Sequence, residues 1–212
     1  MKIYMKKLTI ITICIIGIVM SANAQTQTAQ NILDKAAAKV QAAKGISLNF
    51  FLTQKDKLNR VVSETSGVMK IKSSKYYIKQ GENEIFCNGA QIWNYNGQDE
   101  VTVAKVDNND DELSPQQIIT GFNKKDFTVK LISSAGTNYQ VQLLPVDKRK
   151  NFTQVNLFIS KSTNLITKAS VTDKMNGVTD INFTSISLSA VVPDTQFVFD
   201  ASKHPGVEVV NQ

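Results

Sequence analysis

The sequence predicts an α+β domain dominated by antiparallel strands, arranged as a sheet with one apolar face. Three observations predict it. Alternating apolar and polar residues recur in successive segments between Ile46 and Tyr95, the period-two pattern of half-buried strands. Glycine and asparagine punctuate these segments, as at Asn88-Gly89 and Asn96-Gly97, where tight hairpin turns need residues that tolerate positive φ. Side chains able to do covalent chemistry are scarce. A long curved sheet with one apolar face and no catalytic constellation is the plan of an apolar-ligand carrier.

The elements are justified in chain order. Residues 1–24 carry the marks of an export signal: Lys2, Lys6 and Lys7, an apolar run from Leu8 to Met20, then Ala22-Asn23-Ala24 as a small-x-small cleavage pattern before Gln25. The apolar run falls short of the roughly 20 residues a membrane-spanning helix needs. Cys14 sits inside that run rather than at the cleavage site, so the exported chain is not expected to be lipidated. The expectation is a signal peptide over 1–24, cleaved after Ala24, and a single exported domain over 25–212.

Removing the signal changes the charge. The whole chain holds 24 basic and 18 acidic residues, and three of the basic ones lie in residues 1–24. The remainder, 21 against 18, carries a net charge of +3, which withdraws the main support for a nucleic-acid partner. Cys87 is then the one cysteine left, so no intramolecular disulfide can form and core burial must stabilise the fold.

A helix opens the domain, with Ala29, Ile32, Leu33, Ala36, Val40 and Ala43 at three- and four-residue steps. Thr28 is its expected cap and Gly45 its expected left-handed stop. Strand patterns follow at 48–54, 67–72, 75–79, 85–95 and 101–103, with Asn88-Gly89 expected as a type I′ turn. Asp107 to Glu112 is acidic and polar, but Glu112 stands where a calcium loop needs glycine, so a solvated loop is expected. Ser114-Pro115-Gln116-Gln117 starts a short helix with serine cap, proline at the first position and glutamine after it. Ile118 and Ile119 lead it into Gly121. Further strands are expected at 127–132, 139–144, 154–160, 166–172, 180–187 and finally 197–199.

Chemistry is thinly provided. His204 is the sole histidine, which excludes a two-histidine metal site, and no nucleophile elbow, phosphate loop or dinucleotide fingerprint occurs. The expectation is a protein that is not an enzyme and has no cofactor, metal or catalytic residue.

Leu48-x-Phe50-x-Leu52-Thr53-Gln54, then Gly67-x-Met69-x-Ile71-Lys72 and Tyr76-x-Ile78, resemble the first three strands of the LolA family of periplasmic lipoprotein carriers. Asn88-Gly89-x-x-Ile92-Trp93-x-Tyr95 resembles its hairpin, and Ser114-Pro115 to Ile119 its short helix. Leu143-Leu144-Pro145, Val192-Pro193-Asp194-Thr195-Gln196-Phe197-x-Phe199 and Pro205-Gly206-Val207 resemble features of its second half and tail.

The resemblance implies an open, incomplete antiparallel β-barrel of about eleven strands, with a lid of short helices over an apolar cavity. It implies a periplasmic chaperone that shields lipoprotein acyl chains and carries them from inner to outer membrane. Its partners would be triacylated lipoproteins as cargo, an inner-membrane exporter and an outer-membrane acceptor. The carrier itself would be monomeric and not membrane-embedded. Holding three chains of about fifteen methylenes in water costs on the order of 35 kcal/mol, so shielding is the whole task. The cavity residues expected on this basis are Leu48, Phe50, Leu52, Met69, Ile71, Tyr76, Ile78, Trp93, Tyr95, and Ile118 and Ile119 on the lid. One departure stands out: Lys72-Ser73-Ser74 replaces the family's basic residue, arginine and proline. The resemblance implies that this arginine holds the family's lid closed, so a lid held less firmly, or by a different residue, is expected here. A paralogous carrier or sensor for another amphiphile on the same fold is the alternative.

Overall fold

A computed structural model describes residues 28–106, 113, 115–122 and 125–211. The expected export signal, the acidic loop at 107–112 and the cap Ser114 lie outside the described residues.

Helix α1 runs over 28–41. Twelve strands follow, in a single sheet: β1 Ile46–Lys55, β2 Val61–Lys72, β3 Lys75–Gln80, β4 Asn83–Cys87, β5 Gln91–Tyr95, β6 Glu100–Lys105, β7 Phe127–Ser133, β8 Asn138–Pro145, β9 Phe152–Ser160, β10 Ile166–Asp173, β11 Val178–Ser187 and β12 Glu208–Asn211. Helix α2, Pro115–Thr120, lies between β6 and β7. The spatial order is β12-β6-β5-β4-β3-β2-β1-β11-β10-β9-β8-β7. The two ends do not pair, so the sheet is an open antiparallel half-barrel, and β12 adds one parallel strand beside β6.

One long-range pairing makes the half-barrel. β1 pairs with β2 on one side and with β11 on the other, bringing Phe50 opposite both Gly67 and Phe183. This joins the meander β1–β6 to the meander β7–β11 across a sequence separation that no local turn could bridge.

Pleating assigns the faces. Ile46, Leu48, Phe50, Met69, Ile71, Tyr76, Ile78, Cys87, Val129, Val141, Leu143, Val155, Leu157, Ile159, Ala169 and Phe183 form one concave core. Helix α1 lays Ala29, Ile32, Ala36 and Val40 onto that face, and α2 adds Ile118 and Ile119. The small residues of α1 allow close approach of a helix to a curved sheet.

Among the described residues, the segment after β11 covers the convex face over the first meander. There Tyr77, Phe86 and Val101 pack against Val192, Phe197 and Phe199 from the segment after β11. This strap takes a 3₁₀ turn at Asp194–Phe197. Lys70 Nζ donates to Gln196 Oε1 at 3.1 Å, and Lys72 and Lys75 meet Asp194 at 2.9 and 3.3 Å.

Three local expectations need correction. Residues 197–199 form no strand: Phe197 and Phe199 sit face-down on the sheet instead of pairing at its edge, because burying two aromatic rings outweighs an edge ladder. The β4–β5 turn is centred one residue later than a type I′ Asn-Gly turn. Gly89, at φ +92°, is its first central residue, while Asn88 Oδ1 accepts from the N–H groups of Ala90 and Gln91 at 2.9 Å each. Gly45 does not take the left-handed conformation; it bridges Ser189, and a Cβ there would collide with the carbonyl of Ala190. Close approach, not turn geometry, requires that glycine.

Candidate functional site

The concave face holds a half-open apolar cavity of about 160 Å³ lined by Phe50, Leu52, Met69, Ile78, Gln80, Ile85, Leu113, Ile118, Ile181 and Phe183. Among the described lining residues Gln80 is the one side chain with a polar end. β1, β2, β3, β4 and β11 each contribute, and Ile118 closes the space from α2.

Phe50 sits at its centre for a sequence reason. Gly67 is its partner on β2, and a Cβ there would lie 2.7 Å from Phe50 Cε1. The missing side chain lets the ring lie over the β2 backbone.

The two isoleucines of α2 are divided between two seams. Ile118 lines the apolar cavity, while Ile119 lies between α1 and the sheet, near Ala36, Leu157 and Ile166. Both are buried, each only 5% exposed. Helix α2 ends at Gly121, whose N–H donates to the Gln117 carbonyl at 3.1 Å and whose φ is +111°. Helix α2 is thus a plug seated in the half-barrel.

At the far end of the plug a second space of about 440 Å³ opens between Val40, Gln41, Ala43, Lys44, Ile46, Ile71, Ser73 and Thr120. Ser73 occupies the β2–β3 turn at φ +56°. The residue expected to differ from the family's latch therefore borders an opening beside the last residue of the lid helix.

Of the predicted cavity residues, the fold brings Phe50, Leu52, Met69, Ile78 and Ile118 together around the apolar cavity. Leu48, Ile71, Tyr76 and Ile119 are buried on the same concave face but belong to its packed core. Trp93 and Tyr95 require correction: they are on the convex face, packed with Phe86, Phe199 and Val207. Their partners decide this. Trp93 pairs with Phe86, which pairs with Tyr77, and all three point away from Tyr76. Tyr95 stacks near Phe199 and His204, with ring centroids 5.5 and 4.6 Å away.

The sequence reading missed Ile85, Ile181 and Phe183 as lining residues. Alternation in β11 puts Ile181 and Phe183 on one face, but only the β1–β11 pairing places that face opposite Phe50 and Leu52.

None of the described residues that line the cavity is charged. Burial pushes the Cys87 thiol up, against hydrogen bonds from Gly89 and Tyr76, which holds it protonated and weakly nucleophilic. On the convex side, burial raises the Glu84 carboxyl, but hydrogen bonds from Lys79 and the Tyr77 hydroxyl outweigh it and hold the group below its usual range. Among the described residues no cluster of histidine, cysteine, aspartate and glutamate could hold a metal ion, and no helix is long and apolar enough to cross a membrane.

Comparisons with known proteins agree with this architecture. The half-barrel is similar to an uncharacterized conserved protein from Thermus thermophilus, at 11% identity and a TM-score of 0.58, covering 87% of this chain and 99% of that one. A LolA superfamily protein from Nitrosomonas europaea aligns at 14% identity and a TM-score of 0.46 over 81% of this chain and 97% of that one. The MucA/MucB complex of Pseudomonas aeruginosa aligns at 11% identity and 0.41, over 82% and 62%. At 11% identity the likeness to the Thermus thermophilus protein is one of fold alone. No curated protein matches the chain by sequence. A family model described as outer membrane lipoprotein carrier protein LolA matches residues 41–200 of the 212, and the chain therefore belongs to the LolA family.

Proposed function

We infer that the protein is an exported periplasmic chaperone that shields lipoprotein acyl chains and carries them from the inner to the outer membrane. One observation carries this reading: an apolar cavity in the concave face is stoppered by a short helix rather than by the body of the core. A cavity near 150 Å³ lined by leucine, isoleucine and phenylalanine stays dry and holds about one benzene-sized molecule. An acyl chain of fifteen methylenes cannot enter a space of that size unless Ile118 leaves it. Loading is then an exchange of one apolar plug for another, with little net change in exposed apolar surface. Such an exchange supports uptake without trapping the cargo, which an intermembrane carrier requires.

On this reading residues 1–24 are the cleaved export signal and 25–212 the carrier domain. The chain works without catalysis or cofactor. An inner-membrane exporter supplies triacylated lipoproteins and an outer-membrane acceptor receives them. Phe50, Leu52, Met69, Ile78, Ile85, Ile181 and Phe183 would contact the chains once α2 has swung out.

The test is mass spectrometry of the material that co-purifies with the protein from its native periplasm. Triacylated lipoproteins near one-to-one are expected. Free lipid without protein cargo would replace this reading with a carrier or sensor of another amphiphile. A protein that arrives empty and excludes fluorescent acyl chains would mean that the concave face is only a core.

A further inference from the structure

Three hairpins end side by side on one rim of the half-barrel. They are the β1–β2 tip (56–60), the β8–β9 tip (146–151) and the β10–β11 tip (174–177). The Lys174 N–H donates to the Asn151 carbonyl at 3.2 Å and Lys174 Nζ to the Arg149 carbonyl at 2.9 Å, tying the second tip to the third. The third abuts the first through the β1–β11 pairing of Lys55 with Val178.

The rim exposes what a soluble surface usually hides. Leu58, Val61, Val62, Val146 and Met175 are 64, 55, 63, 59 and 79% exposed, and they stand at or beside the tips. The tips are held, not loose. Asp56 Oδ1 accepts from the Leu58 N–H at 2.9 Å, and Asp173 Oδ1 accepts from the Met175 and Gly177 N–H groups at 2.7 and 2.8 Å. Basic residues are interleaved with the apolar ones. Within the tips Lys57, Arg60, Lys148, Arg149, Lys150 and Lys174 stand against Asp56 and Asp147, a net of four positive charges, with Asp173 adjoining the third tip.

We propose that this rim docks on the surface of an anionic phospholipid bilayer, with Leu58, Val62, Val146 and Met175 entering the acyl boundary and the lysines and arginines meeting the headgroups. The chemistry selects this occupant. The apolar side chains are aliphatic and project from convex tips, a shape suited to insertion. Protein hot spots are instead aromatic anchors seated in pockets. Aliphatic side chains flanked by lysine and arginine match an anionic interface, where burial and charge add together. Position gives the docking a purpose, and here the proposal rests on the carrier reading. Leu52 and Ile181 line the apolar cavity from strand ends that run directly into the β1–β2 and β10–β11 tips. Docking would bring that end of the cavity against the bilayer.

The test is co-sedimentation of the exported protein with vesicles of pure phosphatidylcholine and of equal parts phosphatidylcholine and phosphatidylglycerol. The wild type should sediment with the anionic vesicles and release on raising the salt, and bind the neutral ones about tenfold less. Leu58→Ser combined with Met175→Ser, both at exposed tips, should lower partition to anionic vesicles about tenfold. Lys57→Ser with Lys174→Ser should act similarly at low salt. Wild type that stays in solution with both vesicles overturns the proposal, as does equal sedimentation of the Leu58/Met175 variant. Binding of a protein partner through these tips without vesicle binding overturns it too. Fluorescent acyl-chain uptake, measured on the same samples, is expected to be unchanged by the tip variants. Its loss in the wild type would defeat the carrier reading and leave the docking result standing.

Discussion

The ring of Phe50 occupies the space that a side chain on Gly67 would need: a Cβ built on Gly67 would lie 2.7 Å from Phe50 Cε1 and would also meet the Lys79 carbonyl. Gly67 is thus the socket for the aromatic residue at the centre of the cavity.

Gly67→Ala should therefore destabilise the fold by about 1–3 kcal/mol, the usual cost of overpacking a tight site. Urea unfolding measures it. Phe50→Leu in the same chain should recover part of the loss by removing the ring, leaving the backbone contact with Lys79. No recovery would mean that the Lys79 carbonyl alone sets the requirement for glycine.

Ser73 borders the opening of about 440 Å³ beside Thr120 at the end of the lid helix. Ser73→Arg should place a guanidinium within reach of the C-terminal carbonyls of α2, which attract cations. Slower hydrogen exchange over Pro115–Thr120 and slower release of a bound acyl probe are the expected outcomes. If neither changes, the lid is not governed from this turn.

Asp180 is the buried carboxylate of the convex face, 7% exposed, with Lys55 at 3.0 Å and Lys168 at 3.2 Å. Burial alone would raise its pKa, but hydrogen bonds from Ser170, Lys55 and Lys168 outweigh burial and hold it below the ordinary carboxylate range. The sign of the pH effect follows. Its contribution is complete above the unfolded-state value of about 3.9 and is lost as pH falls through the lower folded value. Asp180→Asn should cost about 1–3 kcal/mol at neutral pH. The gap between variant and wild type should close as the medium is acidified below pH ~4. Paired denaturation curves at several pH values test both statements; a gap independent of pH would mean that packing, not charge, accounts for the loss.

Phe197 is fully buried beneath the strap, and Trp93, the one tryptophan of the chain, belongs to the same convex cluster. Phe197→Ala should cost about 3–5 kcal/mol, as for other large core truncations, and should red-shift the tryptophan emission as the strap loosens. Acyl uptake on the opposite face should survive in the folded fraction. Loss of uptake in that fraction would show that the two faces are coupled through β3 and β4.

The sequence by itself determined eleven of the twelve strands and the parity within each one; it missed β12 and the first half of β2, and read a strand at 197–199 where none forms. Leu48, Phe50 and Leu52 had to share a face because side chains alternate along a strand, and the short helix at Ile118-Ile119 followed from its proline start and glycine stop. Parity does not say which face meets which cover. Tyr76 and Tyr77 are adjacent and equally buried, at 7% each, because α1 and α2 cover one face of the sheet while the strap of Phe197 and Phe199 covers the other. That second cover comes from far along the chain, and together with the β4–β5 register it places Trp93 and Tyr95 on the convex side. The pairing of β1 with β11 is of the same kind. No local pattern in either strand encodes its partner, yet that pairing sets Phe183 beside Phe50 and makes two meanders into one cavity. Local alternation is written in consecutive residues; the choice between two apolar faces is made by burial summed over the whole molecule.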